Sequence, residues 1–198
     1  ISFILNGDKP GLNTQPAIKS PQASPGPLAV ADVDGDGNLD LFVSNYVTFD
    51  PKAVPRADGP GSCDYYGVPV NCGPRGLPYG YHSLYHNNGD GTFTDVTVGS
   101  GLDKCVNTFA LAVGDYNNDG LPDIFVTRLG FYYGDPALFR NNGDGTFTDV
   151  SERAGILKPG PRYSITSVSY DFDSDGWPDI FVAVDSEPSI LFHNNHDG

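Results

Sequence analysis

Short apolar runs recur along this chain, each beside a dense polar loop. The triplets Leu41-Phe42-Val43, Ile124-Phe125-Val126 and Ile180-Phe181-Val182 follow the loops. Runs of similar length lead into them: Leu28-Ala-Val-Ala31, Ala110-Leu-Ala-Val113 and Ile165-Thr-Ser-Val-Ser169. A third kind of segment alternates in polarity, as in Thr92-Phe-Thr-Asp-Val-Thr97, and lies just beyond an Asn-Gly-Asp-Gly turn. Short β-rich runs bounded by Gly, Asn and Asp predict strands, and the turn predicts a hairpin. Each unit therefore predicts four antiparallel strands: one into the loop, one out of it, then a hairpin. No stretch has a capped helical period; Ser151–Gly155 predicts at most one helical turn.

The units repeat. Leu84-Tyr-His-Asn-Asn-Gly-Asp-Gly-Thr-Phe-Thr-Asp-Val-Thr97 returns as residues 138–151 and, cut short, as Leu191-Phe-His-Asn-Asn195. Asn87 and Asn141 are 54 residues apart, and Asn141 and Asn194 are 53 apart. A period in the fifties with internal hairpins predicts an all-β propeller of four-stranded blades. The expected organisation is a lead-in over 1–27, with Ile1–Leu5 as a strand and an irregular stretch from Pro10 to Pro27. Blade 1 follows over 28–108, blade 2 over 109–164 and a truncated blade 3 over 165–198. About three blades predict a piece of a larger propeller, with protein beyond both ends. Blade 1 carries a long insertion from Ser44 to Ser83, and long insertions in repeat proteins are often functional loops.

Composition narrows the class. The chain of 198 residues holds 25 Gly and 17 Pro, which favours short strands and turns. Its net charge of −14 comes from 23 Asp and only 2 Glu, which argues against a nucleic-acid partner. No apolar run is long enough to insert into a membrane as a helix.

The polar loops carry the chemistry. They read Asp32-x-Asp34-x-Asp36-Gly-Asn38-x-Asp40, Asp115-x-Asn117-x-Asp119-Gly-Leu121-x-Asp123 and Asp171-x-Asp173-x-Asp175-Gly-Trp177-x-Asp179. Oxygen side chains at positions 1, 3, 5 and 9, with Gly at 6, suit a hard cation, and Ca²⁺ above all. Position 7 varies between Asn38, Leu121 and Trp177, as a backbone-carbonyl ligand allows. Position 12 is Val43, Val126 and Val182, where a helical calcium hand needs Glu, so these loops lead into strands. About three structural Ca²⁺ ions are expected, with the second loop weakest because Asn117 replaces a carboxylate. The Asn-Gly-Asp-Gly turns resemble metal loops, but tight hairpins need the positive φ of Gly89, Gly91, Gly143 and Gly145 in any case.

Cys63 and Cys72 lie within the insertion, and Gly67 and Pro69 let the segment between them fold back. A disulfide is expected, because a zinc site lacks its second ligand pair. Cys105 is left over, either as a buried thiol or for a partner outside the chain. His86 and His193 share a repeat position with Arg140, so they read as interchangeable. His82 is unique and stands near Tyr79 and Tyr81. Together with Tyr65 and Tyr66 these form a candidate ligand-binding surface. A hydrolase site there would rest on His82, Asp64 and Arg75, which is thin.

The alternation of two phrases resembles the FG-GAP/VCBS repeat of integrin α-subunit propellers and of many secreted bacterial proteins. Asn45-Tyr-Val-Thr-Phe-Asp-Pro51, Cys72-Gly-Pro74 and the Leu84 phrase further resemble the VCBS-repeat proteins related to cartilage acidic protein, often found with an ASPIC/UnbV domain. The resemblance covers roughly 28–198. It implies an extracellular, calcium-binding β-propeller, with ligands on the loop residues named above. It implies no particular activity. The expected role is therefore non-enzymatic: an adhesive or assembly segment of a secreted or cell-surface protein. Its expected partner is another protein or more of the same chain, met through exposed blade edges. The alternative is a carbohydrate-binding module using the insertion's tyrosines.

Overall fold

A computed structural model describes residues 3–5, 13–15, 23–48, 50, 52–53, 56–59, 62–70, 73, 77–103, 108–128, 134–160 and 162–197. Strands β1 (Phe3–Leu5) and β2 (Asn13–Gln15) form a small antiparallel pair near the start. The first four-stranded sheet takes β3 (Ala23–Ala31), β4 (Asp40–Thr48), β7 (Ser83–Asn87) and β8 (Phe93–Asp95), in that order. The second takes β9 (Thr108–Gly114), β10 (Asp123–Arg128), β11 (Ala137–Asn141) and β12 (Phe147–Asp149). The third has β13 (Ser164–Tyr170), β14 (Asp179–Val184) and β15 (Ile190–Phe192). Every pairing is antiparallel between sheet neighbours. These are propeller blades, and β3, β9 and β13 are their facing first strands. The fold is all-β, and the three blades do not close a ring among the described residues.

The apolar triplets explain how the blades stack. A strand turns successive side chains to opposite faces. In blade 1, Phe42 points one way and Leu41 and Val43 the other; all three are buried. Val33, Phe42 and Leu84 of blade 1 pack against Ile124, Val126 and Phe139 of blade 2. Tyr116, Phe125 and Leu138 of blade 2 pack in the same way against Ile180, Val182 and Phe192 of blade 3. Cross-strand register fixes each set, since Phe42 pairs with Leu84, Phe125 with Leu138 and Phe181 with Leu191.

Several boundaries differ from the expectation. The stretch from Pro10 to Pro27 is not wholly irregular: β2 lies in it, and β3 starts at Ala23 rather than Leu28. Pro25 is accommodated because the ladder shifts register on both sides of it. β4 does not stop at Ser44 but runs to Thr48. Returning chain pairs beside that extension: Val47 bridges Tyr79, and the Thr48 N–H donates to the Pro78 carbonyl at 2.9 Å. The insertion contains its own hairpin, β5 (Cys63–Tyr65) with β6 (Val68–Val70), turning at Tyr66 and Gly67. Near Ser151, the Ala154 N–H donates to the Val150 carbonyl at 2.9 Å and the Ile156 N–H to the Ser151 carbonyl at 3.0 Å, a single helical turn that the chain then leaves through short turns.

Candidate metal centres

The three Asp loops fold by one scheme. The position 1 carboxylate accepts two backbone N–H groups: Gly35 and Gly37 donate to Asp32, Asp119 and Gly120 to Asp115, and Asp175 and Gly176 to Asp171, at 2.8–3.1 Å. The position 5 carboxylate accepts the N–H of position 7, as Asp36 does from Asn38, Asp119 from Leu121 and Asp175 from Trp177. Such short-range bonds wind the loop into successive Asx turns. Two residues per loop take positive φ: the position 6 glycines, and Gly35, Asn118 and Ser174 at position 4. In the sequence, the second of these requirements leaves only the small or polar Gly, Asn and Ser at position 4 as its trace.

Position 9 anchors each loop. Asp40, Asp123 and Asp179 are almost fully buried. One oxygen of each accepts an N–H from the residue after position 1: Val33, Tyr116 or Phe172, at 3.0–3.2 Å. The other accepts the N–H of Asn87, Asn141 or Asn194 in the third strand or just after it, each at 2.8 Å. This carboxylate therefore ties loop, second strand and third strand together. Each carboxylate oxygen has a further lone pair, so these bonds leave it able to meet a cation.

The oxygens converge as a cation needs. Ligand atoms of Asp32, Asp34 and Asp40 lie within 4.8 Å of one another, as do those of Asp171, Asp173 and Asp179. Carboxylates this close repel unless positive charge joins them, and an all-oxygen donor set fits a hard divalent ion such as Ca²⁺. In the middle loop, Asn117 turns its amide to Asp119 at 2.7 Å, replacing one charge with a hydrogen bond. Position 7 side chains play no part in that convergence. They face the left-handed residue of the neighbouring hairpin: Asn38 lies against Gly89, Leu121 against Gly143, and Trp177 stacks on His196 at 4.9 Å.

His86 and His193 are not mere decoration. His86 Nδ1 stands 3.1 Å from Asp34 and 3.3 Å from Asp40, and His193 Nδ1 stands 3.6 Å from Asp173 and 3.2 Å from Asp179. In the sequence they look interchangeable, because Arg140 fills the same repeat position. His86 and His193 both set a ring nitrogen beside the loop acids, whereas Arg140 turns its guanidinium to the Asn142 side chain at 3.5 Å. The hydrogen bond from the Asn38 side chain holds the Asp36 carboxyl below the usual range, and the Trp177 N–H does the same for Asp175. Burial instead pushes Asp123 up to about 6, against the two N–H groups it accepts.

The insertion's candidates separate. Tyr65, Tyr66, Tyr79 and Tyr81 are exposed, and Tyr65 and Tyr66 meet edge to face. His82 is not part of that surface: it is 1% exposed, tilted against Phe42, with Nε2 3.3 Å from the Thr108 hydroxyl. Alternation along the returning segment turns His82 inward and Tyr81 outward, so its candidacy as a surface ligand is withdrawn. Cys63 is disulfide-bonded. Cys72, Cys105 and Arg75 lie outside the described residues. A cleft of about 910 Å³ lies elsewhere, on blade 2 between Arg128, Asp135, Arg140 and Glu152.

Comparison with known proteins agrees with this geometry. The model of a family described as FG-GAP-like repeat matches residues 58–126 and again 115–182. Cartilage acidic protein 1 of Homo sapiens is 25% identical over 194 residues, which covers 78% of this chain and 28% of that protein. Cartilage acidic protein 1 of Xenopus tropicalis is 26% identical over 170 residues, 83% of this chain and 22% of that protein. The chain thus spans about a quarter of the length of these relatives.

Proposed function

Because the chain belongs to the FG-GAP-like repeat family, we propose that its Asp loops are structural Ca²⁺ sites in a non-catalytic propeller segment. We further propose that this segment serves adhesion or assembly in a secreted or cell-surface protein. The observation that carries the metal reading is the convergence of Asp32, Asp34 and Asp40, repeated by Asp171, Asp173 and Asp179. Asp36, Asp115, Asn117, Asp119, Asp123 and Asp175 complete the side-chain donors, with main-chain oxygens at Asn38, Leu121 and Trp177. The bound ion supplies positive charge that offsets carboxylate repulsion. The chain's own contribution is the wound loop and the buried position 9 anchor, so ion binding and folding are linked. A disulfide at Cys63 and relatives named for cartilage support an extracellular setting. Among the described residues no helix is long and apolar enough to cross a membrane.

Calorimetric titration and thermal melting test the proposal together. Ca²⁺ binds at about three sites, and chelation lowers the melting temperature by many degrees. A melting curve that EDTA leaves unchanged defeats the structural-calcium reading. A second reading, recognition of glycans, is favoured only by the exposed Tyr65, Tyr66, Tyr79 and Tyr81. A glycan array with no hits removes it.

A further inference from the structure

Arg128 closes β10 five residues after the buried anchor Asp123 opens it. The same step along the repeat arrives at Asn45 in blade 1 and at Val184 in blade 3. Asn45 donates its amide to the Tyr81 carbonyl, and Val184 packs against the core that blades 2 and 3 share. Blade architecture therefore does not call for an arginine at this place; the residue is particular to blade 2.

The setting of Arg128 is costly without a further partner. The side chain is half-buried, and its Nε is shielded from water with no hydrogen-bonding partner. Among the described residues no ion pair holds it, whereas Arg56 pairs with Asp58 and Arg162 with Glu187. Burial lowers the pKa of the guanidinium from its ordinary value, and the charges of Asp149 and Asp135 oppose that shift. Arginine keeps its proton even so, and titration does not relieve the cost of sheltering the charge. Asp149 is committed to its own turn, where Oδ1 accepts the Ser151 N–H at 3.1 Å and the Ser151 hydroxyl.

The register that pairs Val126 with Ala137 brings Asp135 to the same end of the sheet as Arg128. Its Oδ1 is likewise shielded and without a partner. A donor and an acceptor thus stand unsatisfied in the walls of one cleft, about 910 Å³ in volume. Arg140 and Arg153 also line it, so three of the chain's six arginines meet there in a molecule of net charge −14. Water would satisfy the hydrogen bonds, but only an anion also answers the charge, and a planar guanidinium suits a carboxylate best.

We propose that this cleft binds a hydroxylated carboxylate, of which a uronate sugar is the type. The carboxylate lies against Arg128, and a hydroxyl of the same ligand donates to Asp135. The site shares no residue with the Asp loops or with the exposed tyrosines of the insertion. It stands whether or not the loops hold Ca²⁺.

NMR titration of the whole chain in calcium buffer, with D-glucuronate, D-glucose and acetate as probes, tests the proposal. Glucuronate is expected to shift the amides of residues 134–137 and 148–153, with glucose and acetate at least about ten-fold weaker. Arg128→Gln weakens glucuronate at least about ten-fold; Asp135→Asn weakens it about three-fold and leaves acetate unchanged. A glucuronate oligomer that binds at least about ten-fold tighter than the single sugar identifies a polysaccharide as the source, and equal affinity identifies a free sugar acid. No shift at tens of millimolar overturns the inference, since water alone then occupies the cleft. Glucose or acetate binding as tightly as glucuronate overturns it too. So does binding that Arg128→Gln leaves intact, which is what a site on the insertion's tyrosines would give. The premise is tested without any ligand by Arg128→Met. Removing a guanidinium that has no partner should hold or raise the melting temperature, whereas a fall of more than about 5 °C shows that the fold itself pairs the charge and refutes the site.

Discussion

Asn141 reaches across a blade boundary to Val33, 108 residues earlier, with its amide 3.0 Å from the Val33 carbonyl oxygen. The same amide also reaches the Pro122 carbonyl at 3.2 Å, and its oxygen accepts the Gly143 N–H at 2.9 Å. One buried side chain thus joins the first Asp loop, the second Asp loop and a hairpin turn.

Asn141→Ala should therefore cost far more than a hairpin change would. It strips donors from two carbonyls in a buried setting, a loss of about 2–4 kcal/mol. Asn87 is its counterpart in blade 1, and among the described residues its amide meets only the Leu39 carbonyl of its own blade. Asn87→Ala should cost about 1 kcal/mol. Urea unfolding of the two variants side by side checks the contrast, and equal losses would remove the inter-blade clasp from the account.

The sequence showed the period, the two alternating phrases and the four-strand unit, because these are local patterns that hydrophobicity and turn residues record directly. It did not show the clasp. Asn87, Asn141 and Asn194 read as turn residues, and only the stacking of blades turns two of them into bridges between repeats. The double burial of position 9 was hidden for a related reason: a carboxylate's count in a motif says nothing of the N–H groups it will accept. Arg140 at the same repeat position makes His86 and His193 look interchangeable in the sequence, yet both stand beside loop acids. The burial of His82 is not legible either, because the insertion reads as free loop, whereas residues 77–82 run beside an extended β4 and strand alternation decides which way each side chain turns.

Gly101 sits where the connection between blades 1 and 2 presses closest on β12. A Cβ there would stand 2.1 Å from the Phe147 carbonyl oxygen, at a φ of +82°. That carbonyl belongs to backbone already committed, since the Phe147 N–H donates to the Ser100 carbonyl at 2.7 Å. Gly101→Ala should destabilise by about 3 kcal/mol or more, through both the clash and the backbone strain. Gly99 has a similar φ of +87° but open space around it, so Gly99→Ala should cost only about 1 kcal/mol. Thermal melts of both variants separate clash from strain.

The middle loop offers a gain-of-function test of the metal reading. Asn117 replaces the acid found at Asp34 and Asp173 in the other loops, and its amide is spent on Asp119. Asn117→Asp should tighten Ca²⁺ binding at that loop by about ten-fold and lower the stability of the chelated protein, because a further carboxylate joins the cluster. Titration of the variant in calcium, with melting in EDTA, reads both effects. A variant that binds no tighter and melts no lower in EDTA would show that the cation does not sit among these side chains.

His82 makes a pH prediction with a definite sign. Burial, reinforced by the nearby Arg128 guanidinium, lowers its pKa from 6.5 to about 3. The folded chain therefore keeps His82 neutral where the unfolded chain protonates it. Between about pH 6.5 and 3 the unfolded state binds the extra proton, so this residue's contribution to stability falls as pH falls. With no cation bound, Asp123 acts in the opposite sense: its raised value, about 6, means the folded state takes up a proton first, and stability gains as pH drops. The two must be separated, and a comparison with His82→Gln does so, since Asp123 is common to both chains. Gln retains a hydrogen-bonding group toward the Thr108 hydroxyl without an ionisable proton. Between pH 7.5 and 4.5 the unmodified chain should lose about 2–3 kcal/mol more than the variant, measured by urea midpoints in saturating calcium. Identical pH profiles would mean that His82 is protonated as readily in the folded chain as in the unfolded one, and that its burial against Phe42 is not kept in solution.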